Sequence, residues 1–362
     1  MVNRMEQPSY ATLRLSAQIG QRWPNIEAAR SLSAKTLTEL QQALCNLESE
    51  DASVVVLGSL GRKEFTSGSD IDWNLLVDGI ADPNHHALFL DAQQTIKVAA
   101  PKGVGREGTF EAFVSSHDLI HKIGGEDDTN RNLTRRLLLL LESTPIGGRI
   151  AYDRVIKNIL KRYLLDDRSF WRGTTVHRHH IPHFLLNDLA RFWRTMAVDF
   201  AYKLRARSGK GWAIRNIKLR MSRKLLYVAG LLGCFRCHLD WPEGDRDAMF
   251  KDESCRLDVV NWVRETIFSE TPLDIVSDFL LRYKHLHGTA SQLFTSYDRF
   301  LGILSDSELR QHLEELPEDT ADGDIEYRKA RELSHNFRDA LLDLFFDQAS
   351  GLAALTRLYG VF

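Results

Sequence analysis

The sequence predicts an α/β (α+β) core with a small mixed sheet, followed by an all-helical domain. Two short runs of apolar and β-branched residues, at 54–57 and 71–77, are each stopped by turn residues, as buried strands are. After residue 130, apolar side chains recur at helical spacing over long stretches, and strand patterns become scarce. The 362 residues are enough for about two domains that each bury a core.

Helices and strands are mixed in the predicted core. Apolar residues at helical spacing predict a helix over 25–47, and the run at 54–57 predicts a strand buried on both faces. A second strand is predicted at 71–77, a helix at 85–98 and a third strand at 109–115. We therefore expect a small sheet with helices packed against it.

The rest of the chain is predicted to be helical, apart from an acidic stretch at 314–326 that predicts a solvated loop. The predicted helices cover 133–142, 151–165, 184–207 and 212–232, with several more towards the C-terminus. Proline and paired glycines predict a domain boundary near residues 145–148. The predicted organisation is an N-terminal helical segment that packs on the core (1–50), the core itself (51–147) and a helical domain (148–362).

Composition excludes several classes of protein. Forty-seven basic and 49 acidic residues give a net charge of −2, which argues against a disordered acidic protein and a uniformly basic nucleic-acid packager. Four cysteines are too few for a disulfide scaffold of this length. The sequence shows no apolar leader and no apolar run of membrane-spanning length, so we expect a cytoplasmic protein without membrane contact.

The stretch from residue 54 to 77, VVVLGSLGRKEFTSGSDIDWNLLV, contains the most informative motif. Gly58 lets the backbone approach a bulky anion, and Ser59 adds a hydroxyl donor at the start of a predicted helical turn. Asp70 and Asp72 are two residues apart at a strand, so both carboxylates project from one face. A divalent cation relieves their repulsion, and Mg²⁺ prefers such oxygen ligands together with substrate phosphates. Two ions about 3.5–4 Å apart can stabilise both oxygens of an in-line displacement.

This motif resembles the signature of the polymerase-β-like nucleotidyltransferase superfamily. The resemblance rests on Gly58-Ser59, ten intervening residues, and Asp70-x-Asp72 followed by an apolar strand. The surrounding residues are most similar to the bacterial PII-uridylyltransferase and glutamine-synthetase-adenylyltransferase branch. Antibiotic-modifying and cyclic-oligonucleotide-synthase nucleotidyltransferases share the same core pattern. The chain departs from the branch at Lys63, where many members have a glycine after the arginine.

The resemblance implies a nucleotidyltransferase that uses Mg²⁺, or Mn²⁺ in its place, and binds ATP or another NTP. It implies transfer of an NMP to an acceptor with release of pyrophosphate. Asp70 and Asp72 would bind the ions, while Gly58 and Ser59 would hold the β- and γ-phosphates. The acceptor could be a protein, a small molecule, an RNA end or a second nucleotide, and the resemblance favours a protein. The sequence does not define the base, the acceptor or the oligomeric state.

Sites of this kind usually need a third carboxylate from a neighbouring strand. Glu111 is the first candidate because it lies between two phenylalanines in an alternating run, although it could equally lie on the exposed face of an edge strand. Asp127 and Asp128 are the other candidates. Asp128 or Thr129 could instead cap the helix that follows.

A basic region lies in the predicted helical domain. Residues 171–224 contain thirteen Lys and Arg but only two acids. Arg191 and Arg194 lie on one face of a predicted helix, and Lys218 and Ser222 lie on one face of the next. By resemblance this domain closes the nucleotide cleft, so we expect Lys218 and Ser222, with Arg191 or Arg194, to bind the phosphates.

Other uses of the basic region and of the fold remain open from the sequence. The basic helices could be a solvated surface, could pair with the acidic C-terminal third, or could bind RNA. A non-catalytic nucleotide-sensing protein or an RNA-binding protein on the same fold is the alternative function.

Overall fold

The computed structural model describes residues 10–47, 49–99, 110–172, 179–206, 209–241 and 249–360. The elements up to the end of the sheet are α1 (Ala11–Ile19), α2 (Pro24–Ala43), β1 (Ala52–Leu57), α3 (Gly58–Gly61), β2 (Asp72–Val77), α4 (Pro83–Ala99), β3 (Phe113–Ser115), α5 (Ser116–Ile120), α6 (Asn130–Leu141) and β4 (Thr144–Gly147). They confirm the predicted mixture of helices and strands.

The elements after the sheet are helical within the described residues. They are α7 (Arg149–Leu165), α8 (Arg168–Arg172), α9 (His183–Ala206), α10 (Trp212–Lys218), a π-helical turn (Leu219–Arg223), α11 (Lys224–Leu239), α12 (Arg256–Thr266), α13 (Pro272–Leu280), α14 (His287–Ser305), α15 (Ser307–Glu315), α16 (Glu318–Ala321), α17 (Ile325–Phe345) and α18 (Leu352–Leu355). Short 3₁₀ turns at Glu253–Cys255 and Lys284–Leu286 and a π-helical turn at Thr356–Gly360 complete them. None of the helices described here is long and apolar enough to cross a membrane.

The four strands form one mixed sheet in the order β3-β2-β1-β4. Strand β1 pairs antiparallel with both β2 and β4, whereas β2 and β3 run parallel. All six residues of β1 are buried, as expected for a central strand with both faces covered. The predicted class, an α/β core with a small mixed sheet followed by a helical region, is therefore confirmed.

Helices cover both faces of the sheet. Val54 and Val56 point towards a hydrophobic cluster that includes side chains of α2 and α4. Val55 and Leu57 alternate with them and point into a larger cluster that includes α6, α7 and many of the later helices. The helical region therefore shares its core with the sheet.

Helix α2, near the N-terminus, also contacts helices of the C-terminal region. The Asp298 carboxylate on α14 accepts hydrogen bonds from the backbone N–H groups of Asn25 (2.8 Å) and Ile26 (3.0 Å) at the start of α2. Further along α2, Arg30 forms an ion pair with the buried carboxylate of Asp274 at 2.8 Å. The N-terminal segment thus packs on the C-terminal helices as well as on the sheet.

Residues 145–148, where a domain boundary is predicted, include the end of β4, the last strand of the sheet, and its edge position tolerates Pro145. Two predicted elements differ from the structure. The strand predicted at 109–115 shortens to β3 because residues 110–112 are bent; Thr109 lies outside the described residues. The loop predicted at 314–326 is partly helical, since it contains the end of α15 and all of α16. Acidic side chains in the first turn of a helix stabilise it, and α16 begins with two of them. The acidic composition of this stretch alone did not predict the helix.

The turn after α3 places Lys63 in the left-handed backbone region, with φ at 61°. This conformation suits glycine, which explains why a glycine at this position is compatible with the same turn. The Lys63 ammonium lies 5.4 Å from the centroid of the Tyr10 ring, so the side chain gains a cation–π contact in return.

We expect Lys63→Gly to be more stable than Lys63→Ala by about 1 kcal/mol in the free energy of unfolding. Both variants lose the contact with Tyr10, and only alanine keeps the backbone strain. Urea unfolding of the two proteins measures the difference. Equal stability would contradict the left-handed conformation of this turn.

Candidate active site

The pairing of β1 with β2 brings the two halves of the sequence motif together. Leu57, the last residue of β1, is opposite Asp72, the first residue of β2. Gly58 follows with φ at 65°, and a Cβ atom on it would lie 2.6 Å from Asp72 Oδ2. The carboxylate therefore lies directly against the glycine backbone, at the start of the short helix α3 that carries Ser59.

Asp70 and Asp72 are electrostatically coupled. Burial, together with the negative charges of Asp70 and Glu142, raises the pKa of Asp72 to about 7 against the opposite effect of Arg223. Asp70 is exposed to solvent, whereas Asp72 is partly buried. Two carboxylates held this close resist simultaneous ionisation unless a cation is bound.

A buried ion-pair network lies behind Asp72. Arg62 donates from Nε to Glu64 at 2.9 Å and from Nη1 to Glu142, and all three side chains are at least nine-tenths buried. The Tyr297 hydroxyl on α14 donates to Glu64 at 2.8 Å. Glu142 Oε1 is buried without a hydrogen-bond partner among the described residues, and it lies 3.7 Å from Arg223 Nη1. The network fixes the motif to the helical region.

The structure does not bring Glu111 to this acid pair. Its backbone N–H donates to the Trp73 carbonyl at 2.6 Å, and its φ is 51°. Its carboxylate accepts a hydrogen bond at 2.7 Å from Gln93 on α4, the helix that packs on the Trp73 face of the sheet. Asp72 alternates with Trp73 along β2 and faces the other way. Glu111 as third ligand stays a prediction, and the structure gives it a different neighbour.

The other two acids also lie elsewhere. Asp127 is exposed, and Asp128 is buried against Arg136, which donates to both of its carboxylate oxygens at 3.1 and 2.8 Å. Thr129 caps α6 by accepting from the backbone N–H of Asn132, one of the alternatives that the sequence left open. The additional carboxylate close to Asp72 is that of Glu142.

The basic residues separate into two groups. Arg191 donates to the carboxylate and the carbonyl of Asp128, so its guanidinium is used in that network. Lys218 lies near Asp70 and Arg223, and burial together with the nearby Arg310 charge lowers its pKa to about 8. Ser222 is buried in the π-helical turn and donates to the Lys218 carbonyl at 3.2 Å. Arg194 is exposed on α9.

The donors at Asp70 and Asp72 fit a divalent ion that substrate oxygens help to coordinate. Within the described ranges, no group of three or more His, Cys, Asp or Glu side chains could hold a metal ion. Mg²⁺ commonly binds through one or two carboxylates, waters and substrate phosphates, so a complete protein cage is not required. Burial and the charge of Asp70 raise the pKa of Asp72, and the positive charge of a bound divalent ion would oppose both effects.

Three charged residues at the site were not predicted from the sequence: Glu142, Arg223 and Arg310. Glu142 follows five consecutive leucines at the end of a buried helix, and an acid in such a place needs a partner. Arg223 belongs to the basic stretch but was not distinguished from its neighbours. No local signal marks Arg310, because its position depends on the packing of α15 against α10.

We expect Asp72→Asn to be more stable than the wild type at pH 8 in the absence of divalent ions. The unfolded carboxyl titrates near its usual 3.8, while the folded one titrates near 7, so wild-type stability falls as the pH rises between these values. Asparagine does not ionise and escapes this loss. Thermal melting from pH 4 to 8, with EDTA and then with Mg²⁺, measures the effect; a variant less stable than wild type at pH 8 in EDTA would contradict it.

Comparison with known families agrees with this geometry. The family model of the nucleotidyltransferase domain matches residues 37–88. This range includes β1, Gly58 and Ser59, both aspartates and β2. A comparison with curated proteins finds no match. The matched range contains the contact between Asp72 and Gly58, and the match to a nucleotidyltransferase domain at residues 37–88 is consistent with the polymerase-β-like superfamily.

Proposed function

We propose that this protein is a metal-dependent nucleotidyltransferase that moves an NMP from an NTP to an acceptor. The contact between the Asp72 carboxylate and Gly58, with Asp70 beside it, is the observation that carries the proposal. It puts a close-approach glycine next to an acid pair whose charges repel. A phosphate chain with a divalent ion satisfies both features.

In the proposed reaction an acceptor hydroxyl, or another nucleophile, attacks the α-phosphorus of the NTP. The new bond forms as the bond from the α-phosphorus to the bridging oxygen breaks, and pyrophosphate leaves with that electron pair. The acceptor releases its proton. Gly58 and Ser59 hold the β- and γ-phosphates at the start of α3, and Lys218 neutralises part of their charge.

Asp70 and Asp72 would hold Mg²⁺ or Mn²⁺, which would supply charge neutralisation at the phosphates. Arg62 pairs with Glu142, and its positive charge opposes the effect of Glu142 on the pKa of Asp72. Arg223 faces the same acids and limits their repulsion. The acceptor is proposed to be a protein side chain, in line with the sequence resemblance to the protein-modifying branch.

We expect the wild type, incubated with each α-labelled NTP, Mg²⁺ or Mn²⁺ and cell lysate, to release pyrophosphate and to label an acceptor. The double variant Asp70→Asn, Asp72→Asn should lose at least about 1,000-fold in rate, because charge stabilisation worth several kcal/mol is removed. Electrophoresis, chromatography and nuclease or protease digestion identify the labelled species.

The matched control is Asp319→Asn, Asp343→Asn, which changes two exposed acids on α16 and α17. It should label the acceptor as the wild type does. Saturable NTP binding without pyrophosphate release under any of these conditions would refute catalysis and indicate a nucleotide-sensing protein.

We expect Lys218→Ala to raise the KM for the NTP by about 10- to 100-fold, because the variant loses one charge-assisted hydrogen bond to the phosphates. Arg191→Ala should change the KM by less than about threefold and lower the melting temperature instead, because Arg191 is bound to Asp128. Steady-state kinetics and melting curves separate the two effects. A larger KM effect at Arg191 would show that the phosphates bind along α9.

A further inference from the structure

Lys218 and Arg310 place two positive charges near the loop that leads into Asp70. Lys218 ends α10, and Arg310 lies in the first half of α15, which packs against α10. The Arg310 charge is among the causes that lower the pKa of Lys218, so the two groups are neighbours. Within the described part of the chain, the Lys218 ammonium forms no hydrogen bond or ion pair.

The Arg310 side chain lies across the loop that leads into Asp70. A Cβ atom on Gly68 would meet Arg310 Nη1 and would lie 3.0 Å from both Cδ and Cζ. Only 16% of the Arg310 side chain is exposed, and its hydrogen bond to a described residue runs from Nε to Glu314 at 2.9 Å. Both terminal amino groups thus remain for another acceptor.

Holding the loop does not require this arginine. Thr66 and Ser67, in the same loop, already donate from their hydroxyls to the Leu304 and Ser305 carbonyls at the end of α14, at 3.4 and 3.3 Å. Glu314 is 46% exposed, so water weakens its attraction for Arg310. Holding the Arg310 guanidinium close to the partly buried Lys218 ammonium is costly unless an anion binds between them.

We propose that Arg310, together with Lys218, binds the β- and γ-phosphates of the nucleotide. The inference rests on the proposed function and extends it to a residue of α15, outside the matched domain. The guanidinium offers two donors from Nη1 and Nη2 in a fixed fork, which suits phosphate oxygens. The C-terminal helices would then contribute directly to substrate binding.

Inorganic tripolyphosphate is the probe, because it tests the phosphate chain without a base. We expect Arg310→Gln, which keeps side-chain volume against Gly68 but removes the charge, to weaken tripolyphosphate binding by about 10-fold or more in the presence of Mg²⁺. Binding of nucleoside monophosphates should be unchanged. Arg310→Lys should lose less than Arg310→Gln. Isothermal titration calorimetry measures each affinity.

Two controls complete the experiment. Arg328→Ala removes an exposed arginine of α17 and should bind tripolyphosphate as the wild type does; Glu314→Gln keeps Arg310 and should bind at least as tightly. Equal affinity in Arg310→Gln and wild type, no tripolyphosphate binding by the wild type, or an equal loss for monophosphates would each overturn the inference. A wild type that binds tripolyphosphate through Arg310 but releases no pyrophosphate from any NTP would refute the proposed catalysis alone.

Discussion

The contact between the Asp72 carboxylate and the Gly58 backbone organises the candidate site. It exists because antiparallel pairing puts Leu57 opposite Asp72, so the end of one strand and the start of the next share an edge. A side chain on Gly58 would displace the carboxylate, since even a Cβ would lie 2.6 Å from Oδ2. Gly61, three residues later, is restricted in the same way by the Glu142 backbone. The motif is therefore constrained by sterics before any substrate is considered.

The same arrangement lowers the stability of the fold. Asp72, Asp70 and Glu142 concentrate negative charge, and burial adds to the repulsion. Arg62 compensates Glu142 from within the core, but Glu142 Oε1 stays without a hydrogen-bond partner among the described residues. A buried polar atom without a hydrogen-bond partner is uncommon in a core and is typical of functional sites.

The sequence predicted what lies close together along the chain. Both aspartates, Gly58 and the strands around them belong to one short segment, so local spacing was sufficient to bring them together. Glu142 and Arg310 reach the site through the packing of α6 and α15, which no local pattern encodes. Glu111 was chosen because it alternates with phenylalanines, but it lies before β3 in the left-handed region, and its carboxylate accepts a hydrogen bond from Gln93.

The helical region reaches the motif from two sides, which explains why the core and the helices share one hydrophobic cluster. Tyr297 holds Glu64 after α3, while the end of α14 holds the loop that precedes Asp70. Each contact fixes one end of the connection between Gly58 and Asp72. Because a catalytic group displaced by about 1 Å can lose about 100-fold in rate, distant helices that set this connection also set the geometry of the acid pair. The small sheet supplies the acids, and the C-terminal helices determine where they point.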